Sequence, residues 1–239
     1  MGKEFSKGNS GLRNERGETT RTRATTVVAR DVEVLQDLYW DECIAAATLS
    51  DRYKEIESFR EAITDAAFTQ PSFQTRHRYA SYFLKWFVPH LTFDDPVPVC
   101  WAAFRQRGPL EDVMRWQYIT SNPLVASYVD HHLSHVSPGE PVDDGIESFL
   151  ATATGTINEK TKNRLRSNLR KIGLVTVHSR THYRVIPDVS TESVALLLAI
   201  LFAPQAQTVS MDTILHNPWW RRVGLANEVG VTAKLRETA

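Results

Sequence analysis

The sequence predicts a mainly α-helical protein that contains one short β-hairpin. Apolar residues recur three and four positions apart over most of residues 26–136, which is the spacing of amphipathic helices. Residues 156–187 differ, because a basic helical stretch there runs into Gly173 and then into two short runs of β-type residues. Between these regions, residues 137–145 combine proline, glycine and acidic residues, as domain boundaries do.

This organisation divides the chain into a basic tail over residues 1–25, an all-α domain over 26–136, a linker over 137–145 and a second domain over 146–239. The tail has almost nothing apolar to bury, so we expect it to be flexible. Its arginines at 13, 16, 21 and 23 have the right charge for a phosphate backbone, although the composition favours a solvated tail.

The all-α domain is predicted to begin with a helix from Thr26 and to form a bundle of about six helices. Pro71 and Ser72 separate two of these helices, and the second continues to about Val88. The two resemble a helix-turn-helix pair in which Arg76 and Arg78 lie near the start of the second helix, where recognition helices contact DNA. An ordinary helical hairpin with a basic end is the alternative.

The second domain is predicted to start with a helix over Ile146–Thr152 and a turn at Gly155. Asn158 can cap the next helix, Glu159–Ile172, which Gly173 ends. Residues 174–177 and 183–186 are then expected to pair as a hairpin with Arg180 at its tip. Two helices followed by such a hairpin constitute a winged helix-turn-helix-like domain. An apolar helix from Thr191 to Phe202 follows the hairpin.

Charge is unevenly distributed along the chain. Lys plus Arg and Asp plus Glu both total 28, yet residues 156–187 hold eight basic residues and a single acid, Glu159, so the other 207 residues carry a formal −7. A local field of this kind attracts a phosphate backbone. Asn163, Ser167 and Asn168 stand among the bases, and asparagine can also bond to base edges. The predicted DNA contacts in this window are Lys160, Lys162, Arg164, Arg166, Asn168, Arg170, Lys171, Arg180 and Arg184.

Other chemistry has no positive support in the sequence, so we expect a non-enzymatic protein without cofactor or metal. The pair His131 and His135 shares a helix face but lacks further ligands at a recognisable spacing, and no phosphate-binding loop or nucleophile motif is present. Cys43 and Cys100 lie in apolar surroundings typical of reduced core cysteines. The longest apolar run, Val194–Ala203, is too short to span a bilayer, and a cytoplasmic location is expected.

Three segments resemble the BrxA family of BREX bacteriophage-defence systems. They are AAFTQPSFQTRHRYASYFLKWFVPHL, MRWQYITSNPLVASYVDHHL and INEKTKNRLRSNLRKIGLV, and the resemblance extends over roughly residues 30–187. It implies a helical protein that binds double-stranded DNA without catalysis and that serves other proteins of the defence system. The basic tail and the C-terminal WWRR segment depart from the family pattern. The residues that the resemblance implies as DNA contacts are Thr161, Lys162, Arg164, Arg166 and Arg170, with Arg76 and Arg78.

The function expected from the sequence is therefore non-enzymatic binding of double-stranded DNA in a BREX-like defence system. An adaptor that docks other defence proteins through acidic residues 31–65 and the apolar C-terminal helices is a second hypothesis. A third is an RNA-binding, antitermination-like helical protein, because a helical bundle with a basic end also suits RNA. Fold alone does not decide among these classes.

Overall fold

The structure is a computed structural model that describes residues 35–202, 208–225 and 227–238. It is mainly helical with a two-stranded antiparallel sheet, as predicted. The predicted tail over 1–25 and the start of the predicted helix at Thr26 lie outside the described residues. The elements are α1 Trp40–Ala47, α2 Ile56–Ala66, α3 Phe73–Phe87, α4 Pro96–Phe104, α5 Arg107–Ser121, α6 Pro123–His131, α7 Asp143–Thr154, α8 Glu159–Lys171, β1 Val175–His178, β2 Thr181–Arg184, α9 Thr191–Phe202, α10 Met211–Leu215, α11 Trp219–Val223 and α12 Glu228–Thr238, with 3₁₀ turns at Ser50–Arg52 and Leu133–His135.

Two helix boundaries differ from the sequence prediction. Residues 35–39 are not helical, and α1 begins only at Trp40. From the sequence, Gly108 and Pro109 are predicted to separate two helices, but they fall inside the first turn of α5. Proline is tolerated there because the first amides of a helix have no carbonyl partner within the helix.

Helix α5 is the centre of the molecule. Every residue from 112 to 119 is buried, which is the mark of a helix with neighbours on all sides. Helices α3, α4, α6, α9 and α11 all pack against it. The parts of the chain before and after the predicted linker therefore meet on this one helix.

One hydrophobic core extends from Leu35 to Val175 and crosses residues 137–145. Val142, inside the predicted linker, is buried in this core, and so are Leu165 and Leu169 of α8. The linker segment is thus part of the packed structure between α6 and α7. A smaller cluster joins α9, α11 and α12 to Trp116 of α5.

A buried polar network also ties the C-terminal helices to α5. Asp112 Oδ1 accepts a hydrogen bond from Arg115 Nη1 at 2.8 Å, and Asp112 Oδ2 accepts one from the Ser190 amide before α9, also at 2.8 Å. Arg115 in turn donates to the carbonyls of Ile172 at 2.6 Å and Val223 at 3.0 Å. These two carbonyls lie at the ends of α8 and α11 and would otherwise lack partners.

The WWRR segment contributes to this packing. Trp220 is buried and donates its indole N–H to the Ile214 carbonyl at 2.6 Å, while Trp219 packs against Trp116 with ring centroids 4.7 Å apart and planes tilted by 58°. Arg222 pairs with Asp130 of α6 at 2.8 Å. Within the described ranges, no helix has both the length and the apolar character needed to cross a membrane.

Candidate nucleic-acid interface

Local sequence signals set the ends of α7 and α8. Gly155 has a φ of 71° and ends α7 in the left-handed region that glycine adopts without strain. The Asn158 side chain caps α8, as predicted, because its Oδ1 accepts from the amides of Lys160 at 3.0 Å and Thr161 at 3.2 Å. Gly173 then ends α8 with a φ of 77° and leads into β1.

The hairpin that follows has a shorter loop than the sequence suggested. Strands β1 and β2 pair from Val175 with Arg184 to His178 with Thr181, which leaves a two-residue turn. Ser179 and Arg180 make this turn with φ of 50° and 73°, the left-handed geometry that matches the twist of a tight hairpin. Arg180 lies at the tip and is exposed, as predicted.

A third extended segment adds to the far side of β2. The Gly139 amide donates to the Arg184 carbonyl, the Arg184 amide donates to the Glu140 carbonyl, and the Val142 amide donates to the His182 carbonyl, each at 2.9 Å. The segment over 139–142 thus pairs antiparallel with β2 just before α7 begins. The order along the chain is helix, extended segment, helix, helix and hairpin.

Asn168 is placed inward, which is incompatible with its prediction as a DNA contact. It is 0% exposed. Its Oδ1 accepts from the Leu38 amide at 3.2 Å, and its Nδ2 donates to the Gln36 carbonyl at 2.9 Å and to the Tyr118 hydroxyl at 2.7 Å. The side chain therefore fixes α8 to the chain before α1 and to α5.

Lys162 and Arg166 hold α8 against α7 instead of facing outward. Lys162 Nζ donates to Glu159 at 2.7 Å and to Glu147 of α7 at 3.0 Å. The hydrogen bond from Lys162 lowers the pKa of the Glu147 carboxyl, and the hydrogen bond to Glu159 raises the pKa of Lys162. Arg166 forms an ion pair with Asp143 at 2.8 Å and a longer one with Glu147 at 3.4 Å.

Asp143 also links the hairpin to these two helices. His182 of β2 donates its amide to Asp143 Oδ2 at 2.9 Å, and its ring Nδ1 lies 2.9 Å from Asp143 Oδ1. The same Oδ1 pairs with Arg166. One carboxylate at the start of α7 therefore orients both α8 and the hairpin.

Three further predicted contacts have internal roles. Arg164 donates to the Leu35 carbonyl at 2.8 Å and pairs with Asp37 at 3.2 Å. Arg184 is buried and donates to the carbonyls at the end of the Leu133–His135 turn, and this burial lowers the pKa of its guanidinium. Thr161 is only 8% exposed. Little of these side chains remains for a ligand.

A different set of residues forms the outward face of α8. Lys160, Asn163, Ser167 and Arg170 are spaced by three, four and three residues, so they share one face of the helix. Lys160, Asn163 and Arg170 are exposed, and Ser167 is half-buried. Within the part of the chain that the structure describes, none of the four side chains has a hydrogen-bond or ion-pair partner. We call these four residues the α8 stripe.

Position on the helix explains which of the predicted basic contacts are paired within the fold and which face outward. Leu165 and Leu169 mark the buried side of α8, and the α8 stripe is on the opposite side. Residue type alone does not show which basic residues of α8 lie on the buried side and which on the exposed side. Projecting the sequence onto a helix of 3.6 residues per turn does show it. Lys171 lies between them, with its ammonium 5.6 Å from the centre of the Tyr39 ring.

Of the two arginines on α3 that were predicted to contact DNA, one is exposed and the other is bonded within the fold. Arg76 donates to the carbonyls of Thr64 at 3.1 Å and Gln70 at 3.0 Å, so it closes the turn between α2 and α3. Arg78 is exposed, with its guanidinium 5.5 Å from the Tyr79 ring centre. Helix α3 contains no acidic residue.

The described residues contain no cluster of metal ligands and no activated cysteine. Burial raises the pKa of the Cys100 thiol to about 12 and also raises that of Cys43, so neither forms a thiolate readily near neutral pH. No group of three or more His, Cys, Asp or Glu side chains is arranged there to hold a metal ion. Comparisons with protein-family models, with curated proteins and with solved structures give no match.

Proposed function

We propose that this protein binds double-stranded DNA through α8 and the hairpin, without catalysis, as a component of a BREX-like phage-defence system. The element order in residues 123–184 supports a winged helix-turn-helix, because the extended segment over 139–142 precedes α7 and pairs with β2. In this arrangement α8 is the recognition helix and the hairpin is the wing. The defence role rests on the resemblance to the BrxA family.

The α8 stripe is the observation that carries the DNA assignment. It presents two cations and two uncharged hydrogen-bonding side chains. The N-terminus of α8, which carries a partial positive charge, is the end nearest Lys160. Arg180 at the wing tip adds a third exposed cation. Cations release counterions when they meet phosphates, and amide or hydroxyl groups bond to base edges in the major groove.

The test is the salt dependence of binding to a labelled 30-base-pair duplex, measured by fluorescence anisotropy. We expect Lys160→Ala with Arg170→Ala to lower the slope of log K against log salt by about two, since each lost phosphate contact removes about 0.9. The matched control is Arg52→Ala with Lys54→Ala, which removes the same charge from an exposed segment between α1 and α2.

The proposal is contradicted if wild-type protein shows no duplex binding at low salt, or if the control pair weakens binding as much as the α8 pair. Competition with single-stranded DNA and with an RNA hairpin identifies the preferred nucleic acid. A clear preference for the RNA hairpin would replace DNA with RNA as the ligand.

A further inference from the structure

Asn163 and Ser167 occupy the middle of the outward face of α8. Successive residues of a helix are turned by about 100°, so the direction of each side chain follows from its number. The buried residues of α8 define the inner side of the helix by their mean direction, and they are Thr161, Lys162, Leu165, Asn168 and Leu169. Asn163 and Ser167 then point about 20° to either side of the opposite direction. These two side chains therefore face away from the protein.

The two cations of the α8 stripe lie on the flanks of this face. By the same geometry, Lys160 points about 40° to one side of the outward direction and Arg170 about 40° to the other. Their positions differ by a rise of about 15 Å along the helix. The major groove of B-DNA is about 12 Å wide and has a phosphate backbone on each side. A helix lying in this groove would therefore bring one cation to each backbone and hold Asn163 and Ser167 over the base edges.

An acidic residue, Glu159, lies one turn before Asn163 and is exposed. Its carboxylate accepts a hydrogen bond from Lys162 Nζ at 2.7 Å, and Lys162 also bonds to Glu147 of α7 at 3.0 Å. Arg166 pairs with the same Glu147 at 3.4 Å, so the two acids face two bases. The negative charge beside Asn163 is therefore offset by cations of the same helix.

Asn163 is better placed than Ser167 to distinguish bases. Its side chain is exposed, whereas Ser167 is half-buried. Asn163 also lies in the N-terminal half of α8, the half from which recognition helices contact base edges. An asparagine amide holds a donor and an acceptor side by side, and adenine presents the matching N7 acceptor and N6 donor in the major groove. A serine hydroxyl bonds to several bases and discriminates little among them.

We propose that Asn163 specifies an adenine in the duplex that α8 binds. Its Nδ2 donates to the adenine N7, and its Oδ1 accepts from the adenine N6. Lys160 and Arg170 contact the backbones on the two sides of the groove and so fix the distance between the amide and the base edge. This inference rests on the proposed function of α8. It adds a sequence preference to a site whose cations contact only the backbone.

The test begins with selection of duplexes by the full chain from a pool with a randomised centre, followed by anisotropy titration of the selected duplex. We expect adenine at one position of that duplex. Replacing this A·T pair by G·C should weaken wild-type binding about five- to hundredfold. 7-Deazaadenine at the same position should also weaken binding, because it lacks the N7 acceptor.

Two variants of Asn163 assign the preference to this residue. Asn163→Ala should bind the A·T and G·C duplexes equally and should not respond to 7-deazaadenine. Asn163→Arg should select guanine at the same position, because arginine bonds to guanine O6 and N7. The matched control is Gln106→Arg, which also changes an amide to a cation, at an exposed position just before α5. This control should keep the preference for adenine.

The outcomes separate this inference from the proposed function. If wild-type protein binds the duplex with a steep salt dependence but without a base preference, the inference is wrong and the α8 site stands. The inference is also wrong if Asn163→Ala or Asn163→Arg still prefers adenine, or if Gln106→Arg changes the selected base. If wild-type protein does not bind the duplex, both proposals fall together.

Discussion

At the residue scale, two asparagines on α8 have opposite surroundings. Asn168 is fully buried and bonded to three partners, whereas Asn163 is exposed on the α8 stripe. They are five residues apart in a helix of 3.6 residues per turn, so they face different directions. The same side chain therefore stabilises the fold at one position and faces solvent at the other.

We expect Asn168→Ala to lower the free energy of unfolding by about 2–3 kcal/mol, because it leaves the Leu38 amide and the Gln36 carbonyl without partners in the interior. Asn163→Ala should change that free energy by less than about 0.5 kcal/mol. It should instead cost about 1–3 kcal/mol of discrimination between DNA sequences.

Urea denaturation and binding selection from a randomised duplex pool measure these two effects. The assignment of the two faces fails if Asn163→Ala is the destabilising variant or if Asn168→Ala leaves stability unchanged. It also fails if Asn163→Ala selects the same sequences as the wild-type protein when the wild type shows a preference.

At the scale of elements, carboxylates of α7 fix the relative positions of α8 and the β1–β2 hairpin. Glu147 accepts from Lys162 and pairs with Arg166, and Asp143 pairs with Arg166 and His182. Basic residues that the sequence suggested for DNA are thus used to orient the helix that carries the exposed stripe. Their loss should affect DNA binding through the position of α8.

Acidification should weaken the interaction between Glu147 of α7 and Lys162 of α8. The pKa of Glu147 is lowered from the model-compound value of 4.5, chiefly by the hydrogen bond from Lys162. Because the folded-state pKa lies below the unfolded one, the stability from this group is fully present above pH 4.5 and is lost as the pH falls through the lowered pKa.

We therefore expect Glu147→Gln to be less stable than wild type above pH 4.5 and to approach wild-type stability as the pH falls below that value. Urea denaturation across this pH range measures the difference. Glu140→Gln serves as a control with an exposed carboxylate on the segment before α7. A pH-independent difference between Glu147→Gln and wild type would contradict the role given to this carboxylate.

At the scale of the whole molecule, the chain is held together through α5. Asp112 and Arg115 connect this helix to the ends of α8 and α11 and to the start of α9. The hydrophobic core also continues across residues 137–145. These connections imply that the described helices unfold together and not as two separate domains.

Asp112→Ala should lower the free energy of unfolding by about 3–5 kcal/mol, since it leaves the buried Arg115 guanidinium without its carboxylate. Glu111→Ala, its neighbour on α5, removes the partner of an exposed arginine and should cost less than about 1 kcal/mol. Thermal unfolding followed by circular dichroism and by tryptophan fluorescence measures both. Separate transitions for the two probes in the wild type would contradict the single cooperative unit.

The sequence predicted local elements well where the signal lies within a few residues. The Asn158 cap, the glycine that ends α8 and the start of α9 at Thr191 are confirmed. Cap side chains, left-handed glycines and apolar periodicity act over one or two turns, so a linear sequence contains them. The hairpin loop was predicted too long, because Ser179 and Arg180 carry no glycine signal for their left-handed turn.

The candidate site was predicted only as a region. A dense run of bases marked α8, but half of that run belongs to ion pairs whose acids are distant in sequence, such as Glu147 and Asp37. The total charge of α8 can therefore be read from the sequence, but which of its charged side chains face outward cannot. Asn163 and Ser167 stand on that face and differ from buried Asn168 only by position.

By itself, the sequence determined that this protein is mainly helical, that α8 lies between Asn158 and Gly173 with a hairpin after it, and where positive charge is concentrated along the chain. Tertiary structure alone decided which of those charges remain exposed, because Lys162, Arg164 and Arg166 are paired by contacts with α7 and with residues 35–37. It also placed the chain before α1 against α8 and continued one core across residues 137–145. Periodicity and capping are local, whereas the pairing of buried and half-buried charges depends on which distant segments fold together.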